Sequence, residues 1–299
     1  MTSRPIKILM LHGYTQSGPL FHAKTKALEK HLQKSLAALG GVQLVYPTGP
    51  IQLRMDDLPT WNSTTATTLT DTAPPLSVEA SSEGGDRQYL SGTPVTMSGA
   101  ATPPEQAFEE GGEYFAWWRN NEAFEIFTGF PSPCLDYLYD FISNQGPFDG
   151  VIGFSQGAAA AGILASLLEP VHRSPPGLPS DWPQPPESQP QLAFAICYSG
   201  NTAPHKQYDF IYEPKIETPV LHFIGSLDTV VDEERSLALV RACRKERVVY
   251  HPGGHYLPGG KMFLGVVTGF IVECVNAREQ AAAGKEKVGE SVEDMDVPF

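Results

Sequence analysis

The segment 148–168, which reads FDGVIGFSQGAAAAGILASLL, constrains the fold more than any other part of the chain. An apolar run leads into Gly-Phe-Ser-Gln-Gly, and an alanine-rich stretch of high helix propensity follows it. This order is typical of a strand, a sharp turn and a helix. Gly153 and Gly157 flank Ser155 where a Cβ would crowd the turn. The pattern predicts that Ser155 is presented at a sheet edge, although a turn that only caps a helix would share the pentapeptide.

Apolar runs elsewhere in the chain alternate with helical patterns, as a parallel sheet requires. The first unit is an apolar run at residues 6–11, a helical pattern at 21–39 and a second run at 42–46. Further strands are predicted at 194–198, 220–224 and 248–250, and further helices at 134–144, 233–243 and 262–275. We therefore expect residues 1–276 to form a single α/β domain, with a mostly parallel central sheet and helices on both faces.

Three segments interrupt this alternation. Residues 51–112 are rich in Thr, Ser, Gly and Pro and show no periodicity after Trp61, which predicts a long insertion that is either a lid or a disordered loop. Residues 170–191 are rich in proline, which predicts a second insertion on the surface. Residues 277–299 are rich in Ala, Gly, Lys and Glu and are expected to form a flexible tail.

The charge balance limits the partners of the chain. It has 34 acidic and 21 basic residues, a net charge of -13, which argues against binding to nucleic acid. The four cysteines are far apart and form no C-x-x-C pair, so we expect neither a zinc site nor a disulfide scaffold. No apolar stretch is long enough for a signal peptide or a membrane span. We expect a cytoplasmic protein without a cofactor.

Three polar residues that each follow a predicted strand are candidates for a catalytic triad. Serine is a weak nucleophile, so Ser155 needs a base such as His255, and that base needs a carboxylate such as Asp228 to orient it. The chain order Ser, Asp, His is that of α/β-hydrolases. The carboxyl ends of parallel strands meet at the edge where ligands bind. The sequence therefore predicts an α/β-hydrolase fold with a metal-free serine active site.

Two neighbouring residues compete for the roles of acid and base. Asp232 precedes a predicted helix and is better explained as its N-cap than as the acid of the triad. His251 ends a predicted strand, and we expect it to be structural. His251 and His255 have the spacing of a zinc-binding helix, but the Pro-Gly-Gly between them excludes that helix.

An oxyanion hole usually needs two hydrogen-bond donors. The Gln156 amide is one candidate, because it lies at the start of a predicted helix, where N–H groups are unpaired. The Tyr14 amide, in the glycine-containing loop after the first strand, is the second candidate. His12 in the same loop is expected to brace it rather than to transfer protons, and a simple strand-ending turn is the alternative for this loop.

An aromatic cluster, EYFAWWRN, follows the first insertion. Trp117 and Trp118 of this cluster, together with Tyr256, are candidates for the wall of an acyl pocket. Ordinary packing in the core or against a lid is the alternative for the aromatic cluster.

Five motifs in this order, LMLHGYTQSG, EYFAWWRN, GFSQGAAAA, GSLDTVV and HPGGHYLP, resemble the fungal serine hydrolase family related to the human ovarian-cancer-associated serine hydrolase. The resemblance extends from residue 6 to residue 275, and the two insertions depart from the family pattern. It implies a compact α/β-hydrolase that acts on esters or thioesters. Some fungal relatives release polyketide acyl chains from carrier domains.

These observations together predict a serine esterase or thioesterase that works through an acyl-enzyme. Its substrate would be a small ester or an acyl thioester, and an acyl carrier domain is a candidate partner. Two alternatives stay open: a binding protein of the same fold with a vestigial triad, and a peptidase or dienelactone-type hydrolase.

Overall fold

The computed structural model describes residues 4–54, 57–58, 113–121, 126–173 and 178–293. Within these residues the chain forms ten strands: β1 (Ile6–Leu11), β2 (Val42–Val45), β3 (Ile51–Leu53), β4 (Tyr114–Ala116), β5 (Arg119–Asn121), β6 (Ile126–Thr128), β7 (Gly150–Phe154), β8 (Phe194–Tyr198), β9 (Val220–Gly225) and β10 (Glu246–His251). The same residues hold six α-helices: α1 (Gly18–Ser35), α2 (Cys134–Gln145), α3 (Gln156–Leu167), α4 (Pro170–Arg173), α5 (Glu233–Arg241) and α6 (Lys261–Glu293).

Six of the described strands form the central sheet, in the order β2, β1, β7, β8, β9, β10. Every neighbouring pair in this sheet is parallel, which confirms the predicted parallel architecture. The chain runs outward from β1 to β2 and then returns to the other side of β1 to form β7. In open α/β sheets ligands bind beyond the carboxyl ends of the strands at such a switch point. The loops after β1 and β7 are therefore the expected location of the site.

Helices cover both faces of the sheet, as predicted. Strand residues alternate between two apolar clusters: Leu9 and Leu11 face the cluster that contains α2 and α3, while Ile8 and Met10 face the cluster that contains α1 and α6. Strands covered on both faces are apolar on both sides, which explains their continuous apolar runs in the sequence. The two clusters hold the sheet as a rigid frame beneath the loops at its carboxyl edge.

Two short antiparallel ribbons lie outside the central sheet, and the sequence did not predict them. β3 pairs with β4, with Ile51 opposite Ala116, and β5 pairs with β6. Strands of three residues are too short to show a periodic pattern. Because β3 is paired, the first residues of the predicted insertion 51–112 are not loop but strand. Residues 59–112, where the lid or disordered loop was predicted, lie outside the described residues.

The proline-rich segment 170–191 differs from the predicted surface insertion. Its first residues form α4, and Leu178 and Trp182 are buried in the cluster under α3. The buried side chain of Gln189 accepts a hydrogen bond from the Phe148 amide (2.7 Å) and donates one to the Phe148 carbonyl (2.9 Å). This segment thus covers the start of β7. Isolated buried residues between prolines leave no periodic signal, so the sequence could not indicate this packing.

Helix α6 is much longer than the sequence predicted. It continues past residue 277, where we expected a flexible tail, and ends at Glu293. The alanine, lysine and glutamate residues of this stretch are good helix formers, which accounts for the difference. Arg278 on this helix donates a hydrogen bond to the buried carboxylate of Asp149 (2.5 Å). No helix in the described part of the chain is long and apolar enough to cross a membrane.

Candidate active site

Ser155 lies at the turn between β7 and α3, at the carboxyl edge of the sheet. Its backbone has φ 54° and ψ -119°, a combination that non-glycine residues rarely adopt. The Ser155 amide donates a hydrogen bond to the Tyr198 carbonyl at the end of β8 (2.8 Å), which holds the turn in place. A strained serine at a strand-to-helix turn is the arrangement that exposes a nucleophilic hydroxyl.

The two glycines of the pentapeptide are required by packing. A Cβ on Gly153 would lie 2.1 Å from the Gly157 carbonyl oxygen. A Cβ on Gly157 would lie 2.1 Å from the Leu11 carbonyl oxygen and 2.5 Å from that of His12. All three distances are far below van der Waals contact, so only glycine lets the start of α3 lie directly against the end of β1. This close approach brings the loop after β1 next to Ser155.

His255 and Asp228 form a hydrogen-bonded pair between Nδ1 and Oδ2, at 2.8 Å. The other carboxylate oxygen of Asp228 accepts from the amides of Val230 and Val231, both at 2.9 Å. Burial, the largest effect, raises the pKa of Asp228, but His255, the Val231 amide and the nearby Ser199 hydroxyl together outweigh it and lower the pKa to about 2. Asp228 is therefore ionised at neutral pH and favours a proton on His255 Nδ1.

The hydrogen-bonded pair contacts the segment of Ser155 through the side chain of Phe154. The His255 ring packs on the Phe154 ring with centroids 4.8 Å apart, and Phe154 immediately precedes the serine. Among the described residues, the Ser155 hydroxyl makes no hydrogen bond to His255. Hydrogen bonds of this kind are often long before substrate binds and tighten in the reacting complex.

The two competing residues have other roles. Asp232 caps α5, since its side chain accepts from the Arg235 amide at 2.9 Å. His251 is 1% exposed, and its ring packs against Tyr256 with centroids 5.1 Å apart. Burial lowers the pKa of His251, and the charge of Asp228 raises it less. Neither residue takes the place of its neighbour in the hydrogen-bonded pair.

The loop after β1 is braced by His12, as expected. This histidine is fully buried, and burial lowers its pKa to about 4, so it is neutral at physiological pH. Its Nε2 accepts from the Gly49 amide (2.8 Å), and its Nδ1 donates to the Gly13 carbonyl (2.8 Å). The Tyr14 phenol donates to the Asp57 carbonyl (2.9 Å). The backbone at Gly13 and Tyr14 is thus held from both sides.

The two predicted oxyanion donors, the amides of Tyr14 and Gln156, follow the ends of the neighbouring strands β1 and β7. Leu11 lies opposite Gly153 in the register of β1 and β7, so Tyr14 and Gln156 each come three residues beyond a paired position. Neither amide makes a hydrogen bond within the described part of the chain. Gln156 is the first residue of α3, where a helix leaves its N–H groups unpaired. Both amides are therefore available as donors at the same edge.

The three predicted pocket residues have different environments. Trp117 is 0% exposed and its indole N–H donates to the His12 carbonyl (2.8 Å), so it is a bracing residue rather than a wall. Trp118 is also buried and stacks on Phe127 with centroids 5.2 Å apart. The alternative of core packing therefore describes both tryptophans, because each side chain is covered on every side. Tyr256, directly after His255, is 45% exposed and is the one of the three that faces solvent.

Ser199 is a site residue that the sequence analysis did not identify. It directly follows β8, the strand between those that lead to Ser155 and Asp228, and its φ is 49°. Its hydroxyl is buried and has no hydrogen bond of normal length among the described residues, yet it lies near enough to Asp228 to favour the carboxylate. A polar residue directly after a buried strand was the available signal.

Comparisons with known proteins identify the family of this chain. The family described as Serine hydrolase (FSH1) matches residues 1–267. Family of serine hydrolases 3 of Saccharomyces cerevisiae is 32% identical over 268 residues, 89% of this chain and 83% of that protein. An uncharacterized hydrolase of Schizosaccharomyces pombe is 31% identical over 265 residues, 89% of this chain and 50% of that protein, so the chain spans about half the length of this relative.

The fold also has counterparts among solved structures. The crystal structure of Arabidopsis thaliana SOBER1 has a TM-score of 0.50 to this chain at 16% identity, and the match covers 91% of this chain and 99% of that one. Together with the parallel sheet covered on both faces, this likeness confirms the predicted α/β-hydrolase fold.

Proposed function

The chain belongs to the Serine hydrolase (FSH1) family, and from this premise we propose that it is a serine esterase that hydrolyses carboxylic esters or thioesters through an acyl-enzyme. The observation that carries the proposal is the 2.8 Å hydrogen bond between His255 Nδ1 and Asp228 Oδ2, next to a strained Ser155. No metal or cofactor has a part in this reaction.

The reaction has two halves. In the first, Ser155 Oγ attacks the carbonyl carbon while His255 Nε2 takes its proton, and the resulting imidazolium then protonates the leaving alkoxide or thiolate. In the second, His255 deprotonates water, which attacks the acyl-enzyme, and the proton returns to Ser155 as the acid is released. Asp228 stays ionised throughout, since its pKa is lowered to about 2.

The negative charge on the tetrahedral intermediate needs stabilisation by fixed donors. The amides of Gln156 and Tyr14 have this role in our proposal, and the positive end of the α3 dipole adds to it. Removal of one such donor in other enzymes costs roughly 3–4 kcal/mol of transition-state stabilisation. Because backbone donors on a rigid frame need no reorganisation, their effect is already present when substrate binds.

Exposed apolar side chains close to the hydrogen-bonded pair support an acyl substrate. Leu227 and Val230, on either side of Asp228, are 70% and 53% exposed, and Tyr256 is 45% exposed. The Leu227 amide donates to the Gly253 carbonyl (3.0 Å), so the loops that carry the acid and the base are joined. We propose that these residues contact the apolar part of an ester or acyl thioester. An acyl carrier domain as the donor stays a prediction.

A fluorophosphonate probe tests the proposal directly. The wild-type chain should form one covalent adduct on Ser155, and this adduct should appear together with loss of p-nitrophenyl ester hydrolysis. The Ser155→Ala variant should neither be labelled by the probe nor hydrolyse the ester, and its melting temperature should be that of the wild type. An unlabelled wild-type chain would favour the hydrolase-shaped binding protein, while hydrolysis of peptide amides in preference to esters and acyl thioesters would favour the peptidase.

A further inference from the structure

We propose that the side chains of Gln156 and Trp117 are positioning residues that fix the spacing between the two halves of the oxyanion hole. One half is the Gln156 amide at the start of α3, and the other is the Tyr14 amide in the loop after β1. The inference rests on the proposed function, because this spacing matters only if an oxyanion forms there. It adds a second role to Gln156 and replaces the pocket role predicted for Trp117.

The Gln156 side chain clamps the backbone of the two tryptophans. Its Oε1 accepts from the Trp117 amide (2.9 Å), and its Nε2 donates to the Trp118 carbonyl (2.7 Å). A carboxamide that accepts and donates at once has one orientation, because a flip would place like groups against each other. The residue that supplies the first oxyanion donor is therefore fixed to the segment between β4 and β5.

Trp117 continues the connection to the other half of the hole. Its indole N–H donates to the His12 carbonyl (2.8 Å), and its ring lies 4.9 Å from the His12 ring. His12 is joined to Gly13 by the peptide bond and by the hydrogen bond from Nδ1 to the Gly13 carbonyl (2.8 Å). Tyr14 is the next residue. A continuous path of hydrogen bonds and buried ring contacts therefore runs from Gln156 through Trp117 to Tyr14.

This path acts beside the direct contact between α3 and β1. Gly157 already lies against the backbone of Leu11 and His12, which sets how closely the helix can approach the strand. That contact limits the approach but does not prevent the loop from moving away. The hydrogen bond from the Trp117 indole to the His12 carbonyl opposes that movement. Displacement of a donor by about 1 Å can cost about 100-fold in rate, so a bond remote from the substrate can matter for kcat.

The experiment uses two single variants of the full chain. Trp117→Phe keeps an aromatic ring but removes the N–H that binds His12, and Gln156→Leu removes both clamp bonds while the backbone amide stays. We expect each variant to lower kcat for p-nitrophenyl esters by about 10- to 100-fold, with KM changed by less than about twofold. Affinity for a trifluoromethyl ketone, whose adduct carries the oxyanion, should fall by the same factor as kcat/KM.

Controls separate positioning from general loss of packing. Trp182→Phe is the matched variant: a buried tryptophan in an aromatic cluster that takes no part in this path, so its kcat should be that of the wild type. The double variant of Trp117 and Gln156 should be no less active than the less active of the two single variants, because both residues act through one connection. The kcat of Gln156→Glu, divided by that of the wild type, should rise as the pH falls. A protonated carboxyl can both donate a hydrogen bond and accept one, as the Gln156 side chain does.

Two results would overturn the inference. The first is normal kcat and ketone affinity in Trp117→Phe, and the second is multiplied losses in the double variant. If the wild-type chain is not labelled by the fluorophosphonate, the proposed function itself fails. If labelling and the effect of Ser155→Ala hold while Trp117→Phe is fully active, only the positioning role fails.

Discussion

The carboxylate of Asp228 holds the ring of His255 through a 2.8 Å hydrogen bond, and both side chains are largely withdrawn from solvent, at 1% and 18% exposed. Their positions in the chain are 27 residues apart. Asp228 lies in the loop after β9 and His255 in the loop after β10, and β9 and β10 are neighbours in the sheet. Adjacent parallel strands thus supply the two members of the pair from one edge.

Replacement of this acid should remove activity without unfolding the chain. Asp228→Asn keeps the shape of the side chain but removes the charge that stabilises the imidazolium and the Nδ1–H tautomer. By analogy with the same change in a serine protease, we expect kcat to fall by about 10⁴-fold. Asp232→Asn is the matched control, since asparagine caps a helix as well as aspartate does. Equal losses in the two variants would contradict the assignment of the acid.

Two buried histidines should make the folded chain sensitive to mild acid. Burial lowers the pKa of His12 and of His222 from 6.5 to about 4. Because each pKa is lower in the folded chain, the unfolded chain binds protons first as the pH falls below about 6.5. The free energy of unfolding should therefore drop by about 1.4 kcal/mol per pH unit for each histidine until the pH approaches 4.

The variant His222→Leu isolates one of these contributions. His222 Nε2 has no hydrogen-bond partner among the described residues, so the change removes no bond from that nitrogen. In urea titrations at pH 7, 6 and 5, the variant should lose less stability than the wild type, and the difference should approach about 1.4 kcal/mol per pH unit between pH 6 and pH 5. Parallel stability curves for the two chains would show that the pKa of His222 is the same in the folded and unfolded states, which would contradict this prediction.

Gly157, two residues after Ser155, should not tolerate even alanine. Gly157→Ala would place a Cβ 2.1 Å from the Leu11 carbonyl oxygen, so either α3 or β1 must move. We expect a loss of at least about 1–3 kcal/mol in stability and a loss of activity. Gly265→Ala in α6 is the control: its Cβ would meet no atom within 4 Å, and alanine should stabilise the helix by up to about 1 kcal/mol. Thermal unfolding of both variants checks the contrast.

A buried carboxylate at the opposite edge of the sheet should matter for stability but not for catalysis. Asp149 accepts from Arg4 at 2.7 and 2.8 Å, from Arg278 at 2.5 Å and from the Lys7 amide at 2.8 Å. Burial raises the pKa of Asp149, and these partners lower it further than burial raises it. Asp149→Ala leaves the Lys7 amide and two partly exposed arginines without their acceptor, so we expect a loss of about 1–3 kcal/mol in urea unfolding.

A control variant and a measurement of kcat test whether Asp149 acts on stability alone. Glu273→Ala removes an exposed partner of Arg247 and should cost less than about 1 kcal/mol, so it serves as the surface control. The Asp149 variant should keep the wild-type kcat at temperatures where it is folded. A selective fall in kcat with stability unchanged would mean that this cluster acts on the site.

The sequence predicted those parts of the site that depend on order along the chain. The strand-to-helix turn at Ser155 could be predicted because its flanking residues, strand and helix are all local. The proximity of Asp228 and His255 could be predicted because polar residues after buried strands meet at one edge. The bracing role of Trp117 could not be predicted, since its partner His12 is 105 residues away and an aromatic cluster has the same pattern in a pocket wall and in a core.

The same reasoning explains the differences in the fold. The helical content of α6 past residue 277 is a matter of propensity, because alanine, lysine and glutamate outweigh the glycines of this stretch. The burial of Trp182 and Gln189 depends on contacts with distant residues such as Phe148, and no local period records it. Patterns within one element could therefore be predicted, while packing between segments far apart in the chain could not.

The ribbon of β3 and β4 has a consequence for how this chain can vary. Leu53 and Tyr114 are paired neighbours, so the two points where the chain leaves and rejoins the described frame are side by side. Closing a loop costs free energy that grows only with the logarithm of its length. Residues can therefore be gained or lost between these points while the edge that carries Ser155, Asp228 and His255 keeps its geometry.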